Sequence, residues 1–164
     1  FRLLEYLMRH AGQVVTRTRT LNVKIPAGVA NGQKIRLAGQ GSAGSGGGPN
    51  GDLYLEMKIQ PHPQYALQDR DITMELPLTP WEAALGGKVA VPTLGGSVTL
   101  NIPANARNGQ KLRLRGRGLP GQPPGDQMVV LRIVNPPVET EAARALFQRM
   151  AQELPFDPRA HWET

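Results

Sequence analysis

Cysteine is absent from the 164-residue chain, which excludes disulfides, thiolate metal sites and cysteine nucleophiles and fits a reducing compartment. Aromatic residues make up only 5%, so any core must be aliphatic and small. No apolar run approaches the length of a membrane span and no signal-peptide pattern is visible, so the expectation is a soluble, cytoplasmic protein without a membrane partner. The three histidines (His10, His62, His161) and three serines (Ser42, Ser45, Ser97) are scattered. Asp69 and Asp71 flank Arg70, which suits a charged strand entry better than a paired acid and base. The roles of nucleophile, base and metal ligand go unfilled, so no enzyme, no cofactor and no metal site is expected. An initiating methionine is also lacking, and a chain opening at Phe1 is read as a fragment.

What is present is 40% hydrophobic residues, 19 glycines, 15 prolines and a net charge of +6. That apolar content argues against wholesale disorder. The glycine and proline content points to many turns and short strands. The positive excess raises nucleic acid or acidic protein tails as partners.

An internal repeat organises the chain. Residues 25–41 read IPAGVANGQKIRLAGQG and residues 102–118 read IPANARNGQKLRLRGRG, 77 residues apart and identical at 11 of 17 positions. Farther on, GDLYLEMKIQP from Gly51 matches GDQMVVLRIVNP from Gly125, now 74 residues apart. Each copy alternates as a strand does: Leu21, Val23 and Ile25; Val98, Leu100 and Ile102; Ile35 and Leu37; Leu112 and Leu114; Leu53, Leu55, Met57 and Ile59; Ile72, Met74, Leu76 and Leu78. Asn31-Gly32 and Asn108-Gly109 signal tight turns. The architecture expected is mainly β, two tandem small β-sandwich modules with short helices and a C-terminal helix.

Helical signals are few. Thr79-Pro80-Trp81-Glu82 is a capping box with proline at the first helical position, and Gly86-Gly87 stops that helix. Ala143, Leu146, Phe147, Met150 and Leu154 recur at helical spacing over residues 140–154. Residues 1–11 also show helical spacing, through Phe1, Leu4, Leu7, Met8 and Ala11, with Gly12 as the stop.

Two candidate surfaces follow from these patterns. Arg113, Arg115 and Arg117 read as one strand face, with Lys111 in register and Arg107 nearby. Such a face is either a solvated sheet surface or a contact for phosphates or acidic tails. No aromatic residue interleaves with it, so base stacking is unsupported. Ile35, Leu37, Ile59 and Tyr65 line either a core or a groove for an extended peptide, which an open sheet edge accepts as an added strand. The glycine run from Gly39 to Gly51 lacks the lysine-serine/threonine of a phosphate loop and reads as a hairpin connection.

Three stretches carry a family resemblance: the run from Pro61 to Gly118, TLNVKIPAGVANGQKIRLAGQG, and FDPRAHW. Together, from about residue 13 onward, they resemble the C-terminal client-binding half of DnaJ-type co-chaperones, in the curved-DNA-binding branch without a zinc-binding insert. The resemblance implies two β-sandwich modules, at residues 20–66 and 67–137. It implies a C-terminal dimerisation helix and tail over 138–164, making a homodimer through Leu146, Phe147, Met150 and Leu154. It also implies unfolded polypeptide clients, delivery to a DnaK-type heat-shock ATPase, and a client groove at Ile35, Leu37, Ile59 and Tyr65. Tyr65 stands where the family's histidine-proline-x-phenylalanine pattern has phenylalanine. A nucleoid-associated, nonspecific DNA-binding protein is the alternative reading, with Arg107, Lys111, Arg113, Arg115 and Arg117 as its polyanion contact. No His-Pro-Asp tripeptide occurs in the chain, and the first module lacks the opening pair of strands that the second has at residues 71–91. In their place, residues 1–19 form an atypical helical segment that resembles part of an OmpR/PhoB-type winged helix.

Overall fold

The structure, a computed structural model, describes residues 4–10 and 13–162. It is mainly β, as expected, with ten strands and two α-helices among the described residues. The second repeat holds the core. There β5 (Ala66–Gln68), β6 (Asp71–Leu78), β9 (Lys111–Leu114) and β10 (Gln127–Ile133) form a four-stranded sheet in the order β5-β6-β10-β9. β10 runs parallel to β6 and antiparallel to β9. The hairpin of β7 (Gly87–Thr93) and β8 (Gly96–Ile102) covers the sheet: Val91 and Ile102 join Met74, Leu76, Leu78, Val129 and Leu131 in one buried cluster. Each strand contributes every second residue to that cluster, so the period of two read in the sequence becomes one apolar face.

The helix α1 (Pro80–Leu85) links β6 to β7. Both capping-box bonds form: Glu82 N–H donates to Thr79 Oγ1 at 3.3 Å, and Thr79 N–H donates to Glu82 Oε2 at 2.8 Å. Gly86, at φ +74°, ends the helix where a Cβ would lie 2.8 Å from Ile102 O, so only glycine fits without a shift. The second helix, α2 (Glu141–Glu153), is capped by Thr140, whose side chain accepts from Ala143 N–H at 3.1 Å.

The first repeat is thinner. β1 (Leu4–His10) and β2 (Gln13–Arg19) pair as one antiparallel hairpin, and β3 (Lys34–Leu37) and β4 (Leu53–Glu56) as another. The helix expected over residues 1–11 is therefore a strand from Leu4 to His10; Phe1, Ala11 and the stop at Gly12 lie outside the described residues. The physical reason is the partner: the following segment is rich in β-branched Val14, Val15, Thr16 and Thr18, and antiparallel pairing overrides a weak helical preference. The reverse happens at Leu21, Val23 and Ile25. They keep alternating exposure yet form no strand, whereas their counterparts Val98, Leu100 and Ile102 lie on β8. β8 has β7 to pair with; residues 20–26 have no ladder partner among the described residues. From Thr20 to Gln64 no side chain is buried.

Candidate functional site

The turns of the two repeats are built from the same polar parts. Asn31 Oδ1 accepts from Ile59 N–H and Asn108 Oδ1 from Ile133 N–H, both at 2.9 Å. Gln33 and Gln110 accept from the backbone N–H three residues earlier, at 2.9 and 3.0 Å. Asp52 accepts from Gly39 N–H at 2.9 Å and pairs with Arg36 at 2.6 Å; Asp126 accepts from Gly116 N–H at 2.7 Å and pairs with Arg113 at 3.5 Å. Gly39 and Gly116 both adopt φ +66°, which takes the chain off the strand at that point. The Gly39 amide above all, with the Arg36 guanidinium adding to it, holds the Asp52 carboxyl below its ordinary value against the opposing loss of hydration. This repeated aspartate clamp escaped the sequence reading. Its signal was the glycine-aspartate pair that opens both second-half segments.

The clamp changes the reading of the arginine face. Only Lys111 and Arg113 lie on β9; Arg115 and Arg117 follow it in the turn that Gly116 makes, so the three arginines do not share one strand face. Arg113 is neutralised by Asp126, as Arg36 is by Asp52. Arg107, Lys111, Arg115 and Arg117 are exposed and pair with no carboxylate among the described residues.

Of the four residues expected in the groove, two come together. Ile59 and Tyr65 line an open groove of about 580 Å³, with Pro61, Leu67, Leu94 and Leu119. Tyr65 sits directly before β5 and packs on the core of the second repeat, its ring 4.9 Å from that of His62. Ile35 and Leu37 lie on β3, half-buried, and do not line this groove. The groove's other walls, Leu94 in the β7–β8 turn and Leu119 in the loop after β9, escaped the sequence reading too. Their signal was an apolar residue inside a glycine- and proline-rich turn, where a polar one is the norm.

On α2, Leu146 and Met150 are 60% and 46% exposed, Leu154 at its C-terminal cap is 65% exposed, and Phe147 is half-buried. These four fall on one side of the helix and find little cover within the chain. Among the described residues no three His, Asp or Glu side chains gather as a metal site.

The sequence profile described as the DnaJ C terminal domain matches residues 5–136. The chain belongs to the DnaJ C-terminal domain family. Among its relatives are proteins named curved DNA-binding protein. That of Coxiella burnetii is 56% identical over 148 residues, covering 90% of this chain and 47% of the relative. That of Pseudomonas syringae pv. tomato is 53% identical over 148 residues, with 89% and 47% covered. That of Escherichia fergusonii is 54% identical over 146 residues, with 88% and 48% covered. The chain thus spans about half the length of the curated relatives it matches. The DnaJ-family match begins at residue 5, within the N-terminal segment that the sequence reading set apart.

Proposed function

We propose that this chain is the client-holding part of a DnaJ-type co-chaperone, non-catalytic, binding unfolded polypeptide for delivery to a DnaK-type heat-shock ATPase and pairing with a second copy through α2. The observation that carries the reading is the open apolar groove beneath Ile59 and Tyr65. An unfolded chain exposes apolar side chains together with unpaired backbone. A groove of aliphatic walls with one aromatic anchor takes up the former, and the open sheet edges beside it take up the latter. Tyr65 offers a large contact area with two side-chain torsions to freeze. Stimulation of the ATPase is assigned elsewhere, since these 164 residues hold no His-Pro-Asp tripeptide.

Tyr65→Ala should weaken binding of a reduced, unfolded model protein by about 1–3 kcal/mol, the range of a buried aromatic anchor. The affinity of the unaltered chain should change little with ionic strength, because apolar contacts are not screened. A second reading rests on the exposed Arg107, Lys111, Arg115 and Arg117 and on the name its relatives carry: these cations contact the phosphates of DNA without sequence preference. A steep fall of DNA affinity with added salt supports that contact. Client binding that vanishes in salt while Tyr65→Ala leaves it untouched moves the client site to the basic face.

A further inference from the structure

Asparagine followed by glycine occurs three times in the chain, at Asn31-Gly32, Asn50-Gly51 and Asn108-Gly109. In such a pair the glycine nitrogen can attack the asparagine carboxamide, because glycine has no Cβ to hinder the approach. The fold places the three pairs in different surroundings. Two of them are tied at both reacting groups. Asn31 Oδ1 accepts from Ile59 N–H and Asn108 Oδ1 from Ile133 N–H, both at 2.9 Å, so each carboxamide is held to the segment that ends β4 or β10. The glycine nitrogens are held as well: Gly32 N–H donates to Met57 O and Gly109 N–H to Leu131 O, both at 2.7 Å.

Asn50 is placed otherwise. It stands at the end of the glycine-rich loop between β3 and β4, where residues 45–51 are all exposed. Its carboxamide is held only by a long bond, Nδ2–H to Gly39 O at 3.4 Å. Gly51 N–H donates to Ser42 O at 2.9 Å and closes the loop. No side chain from Ser42 to Gly51 is buried, so opening that loop disrupts no packing and needs little local free energy.

The repeat supplies a comparison. The counterpart of Asn50-Gly51-Asp52 is Pro124-Gly125-Asp126. Both segments end on the aspartate of a clamp, which accepts from a glycine at φ +66°, Gly39 or Gly116. Pro124 lies beside Gly116 as Asn50 lies beside Gly39, and proline has no carboxamide to lose.

We infer that Asn50 is a site of spontaneous covalent modification, converting to aspartate and isoaspartate and thereby loosening the first aspartate clamp. The Gly51 nitrogen bonds to Asn50 Cγ, the Cγ–Nδ2 bond breaks, and the amide leaves as ammonia with the proton that Gly51 gives up. Water then adds across one of the two C–N bonds of the cyclic imide. Opening at Cγ gives aspartate, and opening at the main-chain carbonyl gives isoaspartate; one water is consumed and one ammonia released. The new carboxylate cannot donate to Gly39 O, and it stands two residues from the carboxylate of Asp52, which it repels. Isoaspartate also lengthens the main chain by one carbon beside Gly51, whose N–H and carbonyl join Ser42 and Gly41. The Asp126 clamp has no such route to change.

The test is an incubation of the full 164-residue chain at neutral and at mildly alkaline pH in heavy-oxygen water. Peptide mapping by mass spectrometry and labelling by an isoaspartyl methyltransferase follow the products. Conversion should appear first at position 50, with one solvent oxygen incorporated per event. Asn31 should be slower and Asn108 slowest, since its glycine is tied to the buried Leu131. In concentrated denaturant the three rates should draw together, because the fold separates them. Gly51→Ala puts a Cβ 3.8 Å from Ser42 O, an ordinary contact, and should suppress conversion without disturbing the hairpin. Asn50→Gln keeps the donor and should suppress it too, because the larger ring closes more slowly. Amide protection over β3 and β4 should fall about 2- to 10-fold in converted protein, the share of one hydrogen bond. Asn50→Asp should show part of that fall from the outset, and protection over β9 and β10 should stay constant. Equal rates at the three pairs in the folded chain, or undiminished conversion in both Gly51→Ala and Asn50→Gln, overturn the site. Conversion that leaves the protection of β3 and β4 unaltered overturns the loosening of the clamp.

Discussion

At the scale of single residues, the repeat shows which side chains serve the fold and are thereby removed from candidate chemistry. Asp52 and Asp126 each tie a glycine amide and a strand arginine at the end of a hairpin, so Arg36 and Arg113 balance a carboxylate. That arrangement has a pH signature. The Gly39 N–H and then Arg36 hold Asp52 below its ordinary 3.8. A folded-state pKa depressed below the unfolded one gives stability that is present above the unfolded value and is lost as pH falls through the folded one. Amide protection across β3 and β4 should therefore drop below about pH 4, and Asp52→Asn should flatten that dependence while lowering protection at neutral pH. Protection factors measured along an acid titration of both proteins check it; an unchanged profile in the variant would remove Asp52 from the account. In α1, Glu82 is depressed for a related reason, hydrogen bonds from the Thr79 backbone and side chain.

At the scale of elements, the decisive question is whether a segment finds a partner. α1 and α2 are specified by neighbours close in sequence, through the Thr79 and Thr140 caps and the Gly86 stop, and both were legible from the residues. Residues 21–25 carry a strand pattern as clear as that of residues 98–102, yet only the latter form a strand, because strand formation needs hydrogen-bond partners supplied from elsewhere. The helical spacing of residues 1–11 misled for the same reason: a partner strand outweighed it. α2 poses the converse problem, a helix whose apolar side has little to cover it. Replacing Phe147 and Met150 together by Asp would place charge at the proposed dimer seam, and the expected result is a monomer by light scattering. A mass that stays that of the unaltered protein refutes α2 as the seam, and circular dichroism establishes that the helix itself survives.

At the scale of the whole molecule, the two repeats share a motif and differ in what surrounds it, so they should differ in stability. Over residues 20–162, every fully buried apolar side chain lies between Ile72 and Leu131. Leu131 and Met57 occupy equivalent positions, and the pair gives a direct test. Leu131→Ala should cost about 2–5 kcal/mol, the usual penalty for a buried aliphatic truncation with its cavity. Met57→Ala should cost about 1 kcal/mol or less, because a partly exposed side chain loses less transfer energy and leaves no closed void. Trp81, on α1, reports unfolding of the second repeat in denaturant, and hydrogen exchange over residues 67–137 should be slower than over residues 20–60. Equal penalties, or greater protection over residues 20–60, would contradict this difference in burial.

The sequence by itself determined the repeat, the mainly β architecture, the capped helices and the turn positions, since each depends on contacts within a few residues or on a period of two. It also marked Ile59 and Tyr65 as groove candidates and Arg107, Lys111, Arg115 and Arg117 as cations for a polyanion. Tertiary structure alone decided which alternating segments became strands and how Tyr65 moved onto the core of the second repeat. It alone paired Arg113 with Asp126 and brought Leu94 and Leu119 to the groove. The physical reason is common to all of these. Sheet pairing, salt-bridge formation and groove walls join residues far apart in the chain, and an alternating pattern states which face is apolar without stating what will cover it.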